Sequence, residues 1–134
     1  MKTKSLLAVA VLFGLSTWAI AAQTIEAMPP VVVKTVPQSG AQDVAPGTME
    51  IKVTFSKPMQ DKSWSWSTAW EKSTPEGLEK PRYESDGKTC VLKVKLEPGK
   101  TYAYWLNSQR FINFRDTLGH SAVPYLLIFK TKAE

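Results

Sequence analysis

The chain has 134 residues with 17 basic and 12 acidic side chains, one cysteine and one histidine. Its net charge of +5 is spread without a dense run of lysine or arginine, which argues against nucleic acid binding. A single cysteine excludes a disulfide within the chain, so a hydrophobic core must stabilise the fold. A single histidine leaves little material for histidine-based catalysis or metal binding.

The first 22 residues have the pattern of a secretory signal peptide. Two lysines precede an apolar run from Leu6 to Ile20. Ala19 and Ala21 fit the small-residue pattern that signal peptidase cuts, so residues 1–22 are predicted to be removed. The run of about 15 residues is shorter than the roughly 20 that span a bilayer as a helix. An uncleaved membrane anchor is the alternative; no cysteine follows the cleavage site to carry a lipid.

Cleavage at this site predicts a protein that works outside the cytoplasm, either in the periplasm or secreted. Residues 23–134 would then form one domain of 112 residues, enough for a hydrophobic core. Only Lys2 and Lys4 are lost with the leader, so the mature net charge falls from +5 to +3. We expect no stable membrane insertion after cleavage.

The pattern of the mature chain predicts short strands separated by proline and glycine turns, and it shows almost no helical periodicity. Turn signals include Pro46-Gly47, Asp86-Gly87 and Pro98-Gly99. The pattern predicts an all-β antiparallel sandwich of about seven strands, with a small barrel as the alternative. In chain order the predicted strands are 31–36, 49–56, 63–70, 78–83, 89–96, 100–107 and 125–131.

Cys90 lies within one of these alternating strands. It shares a face with Leu92 and Val94, opposite Lys93 and Lys95. Period two therefore predicts a buried, unreactive thiol. An interchain disulfide or a reactive thiol is the alternative.

Several motifs together resemble the SbsA-type bacterial Ig-like domain. They are PQSGA at residues 37–41, IKVTFSKPM at 51–59, LEPGKTY at 96–102 and DTLG at 116–119. The resemblance implies an immunoglobulin-like antiparallel sandwich of seven strands, used in surface and secreted proteins as a spacer or binding module. It implies no shared catalytic site, so no functional residues carry over. Members usually occur as repeats in long proteins, whereas this chain holds one copy.

A weaker likeness is to small periplasmic copper carriers of the CopC type, which share the sandwich and a similar F-S-x-P strand end. Those proteins use histidines near the mature N-terminus and in a late loop. Here no histidine lies near Gln23, and only His120 lies late. Because of this likeness, a periplasmic metal carrier is the alternative function. The residues themselves predict no metal site and no cofactor.

Catalysis has little support in the sequence. A Ser-His-Asp device would have to use His120 with its neighbours Asp116 and Ser121, a grouping common by chance in polar loops. Five acidic residues lie at turns or strand ends, where solvated carboxylates are ordinary: Asp43, Asp61, Glu76, Glu84 and Asp86. We therefore predict a protein that is not an enzyme, with a small hydrolase as a remote alternative.

Aromatic residues carry the remaining functional signal, because four tryptophans lie in the mature chain. Trp64, Trp66 and Trp70 share one face of a regular strand. That face is either part of the core or part of an exposed platform, and period two does not decide between them.

A second aromatic position is predicted to point outward. Tyr102, Tyr104 and Leu106 would face the core, which turns Trp105 to solvent beside Leu126 and Ile128 on the last strand. An exposed apolar patch of this kind indicates a partner. The loop after it mixes aromatic and polar residues, although Phe111 and Phe114 would serve equally to plug the sandwich. The candidate ligand contacts are Trp105, Asn107, Arg110 and Asn113, and the predicted partner is a protein, peptide or glycan of the cell envelope.

Overall fold

A computed structural model describes residues 2–5, 7–20 and 22–134 of the chain. These ranges contain eight strands and no helix. The strands are β1 (Val32–Val36), β2 (Gly47–Phe55), β3 (Trp66–Thr68), β4 (Glu76–Gly77), β5 (Arg82–Tyr83), β6 (Thr89–Leu96), β7 (Thr101–Leu106) and β8 (Tyr125–Lys130).

The strands form two antiparallel sheets. The first sheet has the order β1-β2-β6-β4, with β5 beside β4 on the same edge of β6. The second sheet has the order β3-β7-β8. Because β4 and β5 pair with the two ends of β6, they act as one interrupted strand, and the order becomes that of a seven-stranded constant-type immunoglobulin sandwich. The predicted all-β sandwich is confirmed.

Period-two alternation builds the core of this sandwich. On β2 the side chains of Ile51, Val53 and Phe55 are buried while the residues between them are partly exposed. Cys90 is fully buried on β6, as predicted, and burial raises the pKa of its thiol to about 12. The thiol is therefore protonated at neutral pH and shielded from solvent.

The predicted signal peptide makes no part of the sandwich core. Its large apolar side chains between Leu7 and Ile20 are 69–94% exposed. Leu6 and Ala21 lie outside the described residues. Within the described part of the chain, no helix is long and apolar enough to span a membrane. The cleavage site stays a prediction.

Candidate functional site

The outer face of the second sheet carries the apolar patch predicted from period two. Trp105 on β7 lies opposite Leu126 of β8 and opposite Ser67 of β3. Ile128 pairs with Ala103 in the next row of the same face. Trp105, Leu126 and Ile128 are all partly exposed, so the structure brings the three predicted residues together at the surface.

A cleft opens at one end of this patch, where β7 runs into the loop that follows it. The Trp105 cleft has a volume of about 520 Å³ and is lined by Trp105, Ser108, Gln109, Arg110 and Pro124. The Ser108 hydroxyl accepts bonds from the backbone N–H groups of Arg110 (3.3 Å) and Phe111 (3.1 Å). This turn directs Arg110 to the cleft that Trp105 also lines.

Arg110 is an exposed cation with no ion pair or side-chain hydrogen bond within the described residues. Its Cζ lies 5.6 Å from the centre of the Phe111 ring, a cation–π contact that leaves the N–H donors open. A guanidinium in this state can bind a carboxylate or phosphate in a bidentate manner.

Asn107 does not lie at this surface, and its predicted role as a ligand contact is corrected. The residue is fully buried. Its Nδ2 donates to the carbonyl oxygens of Phe114 (2.9 Å) and Ala122 (3.1 Å), and its Oδ1 accepts from Phe114 N–H (2.8 Å). The side chain therefore ties the long loop to the end of β7.

Asn113 is exposed, but it lies on a different groove from Trp105. This edge groove has a volume of about 460 Å³ and runs along β3, lined by Trp64, Ser65, Trp66, Ser67, Thr68, Pro81, Phe111 and Asn113. The backbone N–H of Asn113 donates to Ser65 Oγ (2.9 Å). The structure thus brings Trp105 and Arg110 together, separates Asn113 from them, and buries Asn107.

The face of Trp64, Trp66 and Trp70 divides between core and surface. Trp66 packs edge-on against Tyr104, with ring centres 5.3 Å apart, and its Nε1 is buried without a hydrogen-bond partner within the described residues. Trp64 lies 6.5 Å from the ring centre of Tyr83, whereas Trp70 is 46% exposed. Two of the three tryptophans therefore pack on the core.

The two phenylalanines of the long loop also differ. Phe114 is fully buried, with its ring centre 4.9 Å from that of Phe55. Phe111 is 49% exposed and lines the edge groove. The plug that the sequence offered as an alternative is correct for Phe114, and Phe111 stays at the surface.

A buried charge cluster joins the segment after β2 to the long loop, and it was not predicted from the sequence. Lys57 Nζ lies 2.5 Å from Asp116 Oδ2 and donates to the carbonyl oxygens of Glu26 (3.0 Å) and Met28 (2.9 Å). His120 Nδ1 lies 2.9 Å from the same carboxylate oxygen. A lysine inside the run FSKPM, between a buried phenylalanine and a buried methionine, is the signal that could have revealed it.

Asp116 is held ionised in this cluster. Burial by itself would raise the pKa of Asp116, but hydrogen bonds from Lys57, from the His120 backbone and side chain, and from the Leu118 backbone outweigh it and lower the pKa to about 2. The three N–H donors of Lys57 all have acceptors. We call this cluster of Lys57, Asp116 and His120 the Lys57 clamp. Because no donor of the Lys57 ammonium is left free, the clamp has a structural role.

The structure does not arrange the residues around His120 as a catalytic site. The Ser121 hydroxyl donates to the carbonyl oxygen of Ile112 (3.0 Å). His120 contacts Asp116, but among the described residues no hydrogen bond joins Ser121 to His120, so the three residues do not form a catalytic relay. Among the residues described, no group of three histidine, cysteine, aspartate or glutamate side chains is placed to hold a metal ion.

Comparison with known protein families agrees with this architecture. The family model of the bacterial Ig-like domain matches residues 26–131, and the chain belongs to that family. Bacterial Ig-like domains are generally non-catalytic structural or binding modules, and they occur in extracellular or surface proteins of bacteria. No curated protein and no solved structure matches the chain.

Proposed function

We propose that this protein is an exported, non-enzymatic binding module of the cell envelope that holds its ligand in the Trp105 cleft. The observation that carries the proposal is that a partly exposed indole, Trp105, and a guanidinium without an acidic partner among the described residues, Arg110, line one cleft whose other lining residues are uncharged.

The chemistry of the cleft indicates what it can hold. The flat face of Trp105 suits an apolar ring or the face of a sugar, and Arg110 suits a carboxylate or phosphate beside it. A protein, peptide or glycan of the envelope can present both groups. Apart from Arg110, the residues lining the cleft are uncharged, so an anionic ligand meets no repulsion there.

Export is part of the proposal and rests on the N-terminal segment. The apolar side chains from Leu7 to Ile20 lie outside the folded core, as expected of a leader that is removed. Sequencing the N-terminus of the protein from intact cells tests this step. A mature start at Ala22 or Gln23 supports export, and an intact Met1 contradicts it.

A periplasmic copper carrier has no support from the described residues. Nδ1 of the one histidine, His120, donates to the Asp116 carboxylate, which is already paired with Lys57. The single cysteine is buried. The histidine and the cysteine together therefore offer copper or zinc at most one open ligand, the second ring nitrogen of His120.

The experiment that tests ligand binding compares Trp105→Ala with Trp70→Ala. Both remove one partly exposed tryptophan, but only Trp105 lines the cleft. The purified variants are titrated with solubilised envelope glycans and with envelope peptides while binding is followed by calorimetry. We expect Trp105→Ala to weaken binding at least tenfold and Trp70→Ala to leave it within twofold of wild type.

Two results would contradict the proposal. Equal loss in both variants would mean that the cleft is not the binding site. Absence of binding to either fraction by the wild-type protein would reduce the chain to a structural module.

A further inference from the structure

A second surface, independent of the Trp105 cleft, lies along the free edge of β3. Ser65 accepts a hydrogen bond from Asn107 N–H (3.2 Å), and the register of β3 with β7 continues through Ser67. In an antiparallel ladder the main-chain groups of alternate residues face the partner strand. The N–H and C=O groups of Trp66 and Thr68 therefore point away from β7, to a side where no described strand pairs with them.

The other edges of the two sheets are covered or interrupted. Along β8, Gly40 N–H donates to Ile128 O (2.6 Å) and Lys130 N–H donates to Ala41 O (2.8 Å), so a loop occupies that edge. β1 has a register shift and is followed by Pro37, and β4 and β5 have two residues each. Such features prevent strand addition at an edge. β3 is itself short, with three residues, but its edge has no proline, no lysine and, among the described residues, no loop bonded to it.

The edge groove provides an uncharged, largely aromatic surface beside this free edge. Its large side chains are Trp64, Trp66, Pro81 and Phe111, and every residue that lines it is uncharged. The groove lies between β3 of the second sheet and the interrupted β4–β5 strand of the first. A strand added beside β3 would continue the second sheet and direct alternate side chains into this space.

We propose that the β3 edge binds an extended segment of a partner protein, with apolar residues at alternate positions, as an added strand. Extended backbone is the occupant that matches both observations. It supplies N–H and C=O groups to Trp66 and Thr68, and its alternate side chains fill an uncharged groove. A glycan would meet the aromatic walls but could pair the main-chain groups only in part.

The test begins with a displayed library of random twelve-residue peptides selected against the purified protein. We expect enriched peptides to alternate apolar and polar residues. Hydrogen exchange of the complex should then show slowed exchange for the Trp66 and Thr68 amides, which are open in the free protein. The Ser67 amide, already paired with β7, should change little.

A matched pair of variants isolates the main-chain contact. Thr68→Pro removes an N–H that faces the free edge and leaves the bonds to β7 in place, a position where edge strands tolerate proline. Thr68→Val keeps the N–H and serves as the control. We expect Thr68→Pro to weaken peptide binding at least tenfold and Thr68→Val to stay within twofold of wild type.

A second measurement covers the case in which Thr68→Pro disturbs the fold. The selected peptide is synthesised with N-methyl groups on the amides that face β3, and separately on the intervening amides. Only the first set should abolish binding to the wild-type protein. Equal loss with both sets would overturn strand addition.

Other outcomes also overturn the proposal. These are no enriched peptides, protection in the Trp105 cleft instead of the β3 edge, and a dimer of the protein itself that Thr68→Pro dissociates. The last would assign the edge to a second copy. Because Trp105→Ala should leave peptide binding at the edge unchanged, and Thr68→Pro should leave envelope binding at the cleft unchanged, each proposal can fail alone.

Discussion

Charged side chains are used in two different ways in this sandwich. On the outer face of the first sheet, Lys52 pairs with Glu84 and Lys93 pairs with Glu79, all partly exposed. At the end of the sandwich the Lys57 clamp places a similar pair in the interior, with Asp116 only 1% exposed. The exposed pairs are screened by water and add little to stability. The buried pair has lost its hydration, so the fold depends on its remaining complete.

Arg110 represents a third case, an exposed charge without an ion pair in the described part of the chain. Arg110 is exposed like Lys52 and Lys93, but it has no acidic partner within the described residues. The ammonium groups of Lys52 and Lys93 are engaged by glutamates, whereas Arg110 keeps its donors open in the Trp105 cleft. What distinguishes Arg110 is that its free donors lie in a cleft that also contains an indole.

The largest expected effect comes from breaking the Lys57 clamp at its carboxylate. Asp116→Ala leaves the Lys57 ammonium buried without its anion and should lower the free energy of unfolding by about 3–5 kcal/mol. Urea denaturation followed by tryptophan fluorescence measures it. Glu79→Gln on the first sheet is the control and should unfold at the wild-type urea concentration. A similar midpoint for both variants would refute the distinction between buried and exposed pairs.

Removing the cation should have a smaller effect than removing the anion. In Lys57→Met the Asp116 carboxylate still accepts bonds from the backbone N–H groups of Leu118 and His120, both 2.9 Å, and from the His120 ring. We expect a loss of about 2 kcal/mol, typical of hydrogen bonds to a charged group. The same denaturation experiment decides the order. A larger loss for Lys57→Met than for Asp116→Ala would show that the ammonium, not the carboxylate, organises the cluster.

The clamp should also respond to pH. The pKa of Asp116 is lowered from 3.8 to about 2 in the folded protein. A lowered folded-state pKa means that the ionised carboxylate contributes its full stability above about pH 4 and loses it as the pH falls through about 2.

Denaturation midpoints between pH 6 and pH 2 check this dependence. The difference in stability between wild type and Asp116→Ala should be constant above pH 5 and shrink as the pH falls below 4. A difference that stays the same down to pH 2 would contradict the assignment of a stabilising charge to Asp116.

The smallest effect on stability belongs to Arg110. Arg110→Gln removes a charge without a partner, so the unfolding midpoint should not change, while binding of the envelope ligand should weaken several-fold. Arg82→Gln is the matched control, because Arg82 already pairs with Glu50 at 3.3 Å. Calorimetric titration of both variants with the envelope ligand measures the contribution of each arginine to binding. Equal binding by both would remove Arg110 from the proposed site.

Sequence reasoning was accurate where period two held without interruption. It placed Cys90, Tyr102 and Tyr104 inside and turned Trp105 outward, because residues two apart on a strand share a face. The same rule failed one step later for Asn107. β7 ends at Leu106, and Asn107 takes a left-handed backbone conformation with φ of 58°, which turns its side chain into the core.

The sequence by itself determined the all-β class, the family, the buried thiol and the outward tryptophan, since alternation and turn residues act over a few neighbouring positions. Only the tertiary structure decided which distant residues meet. It joined Lys57 to Asp116 across 59 positions, placed Arg110 in the same cleft as Trp105, and left one side of β3 unpaired among the described strands. These outcomes depend on how two sheets and a long loop pack together, and local patterning carries no information about that packing.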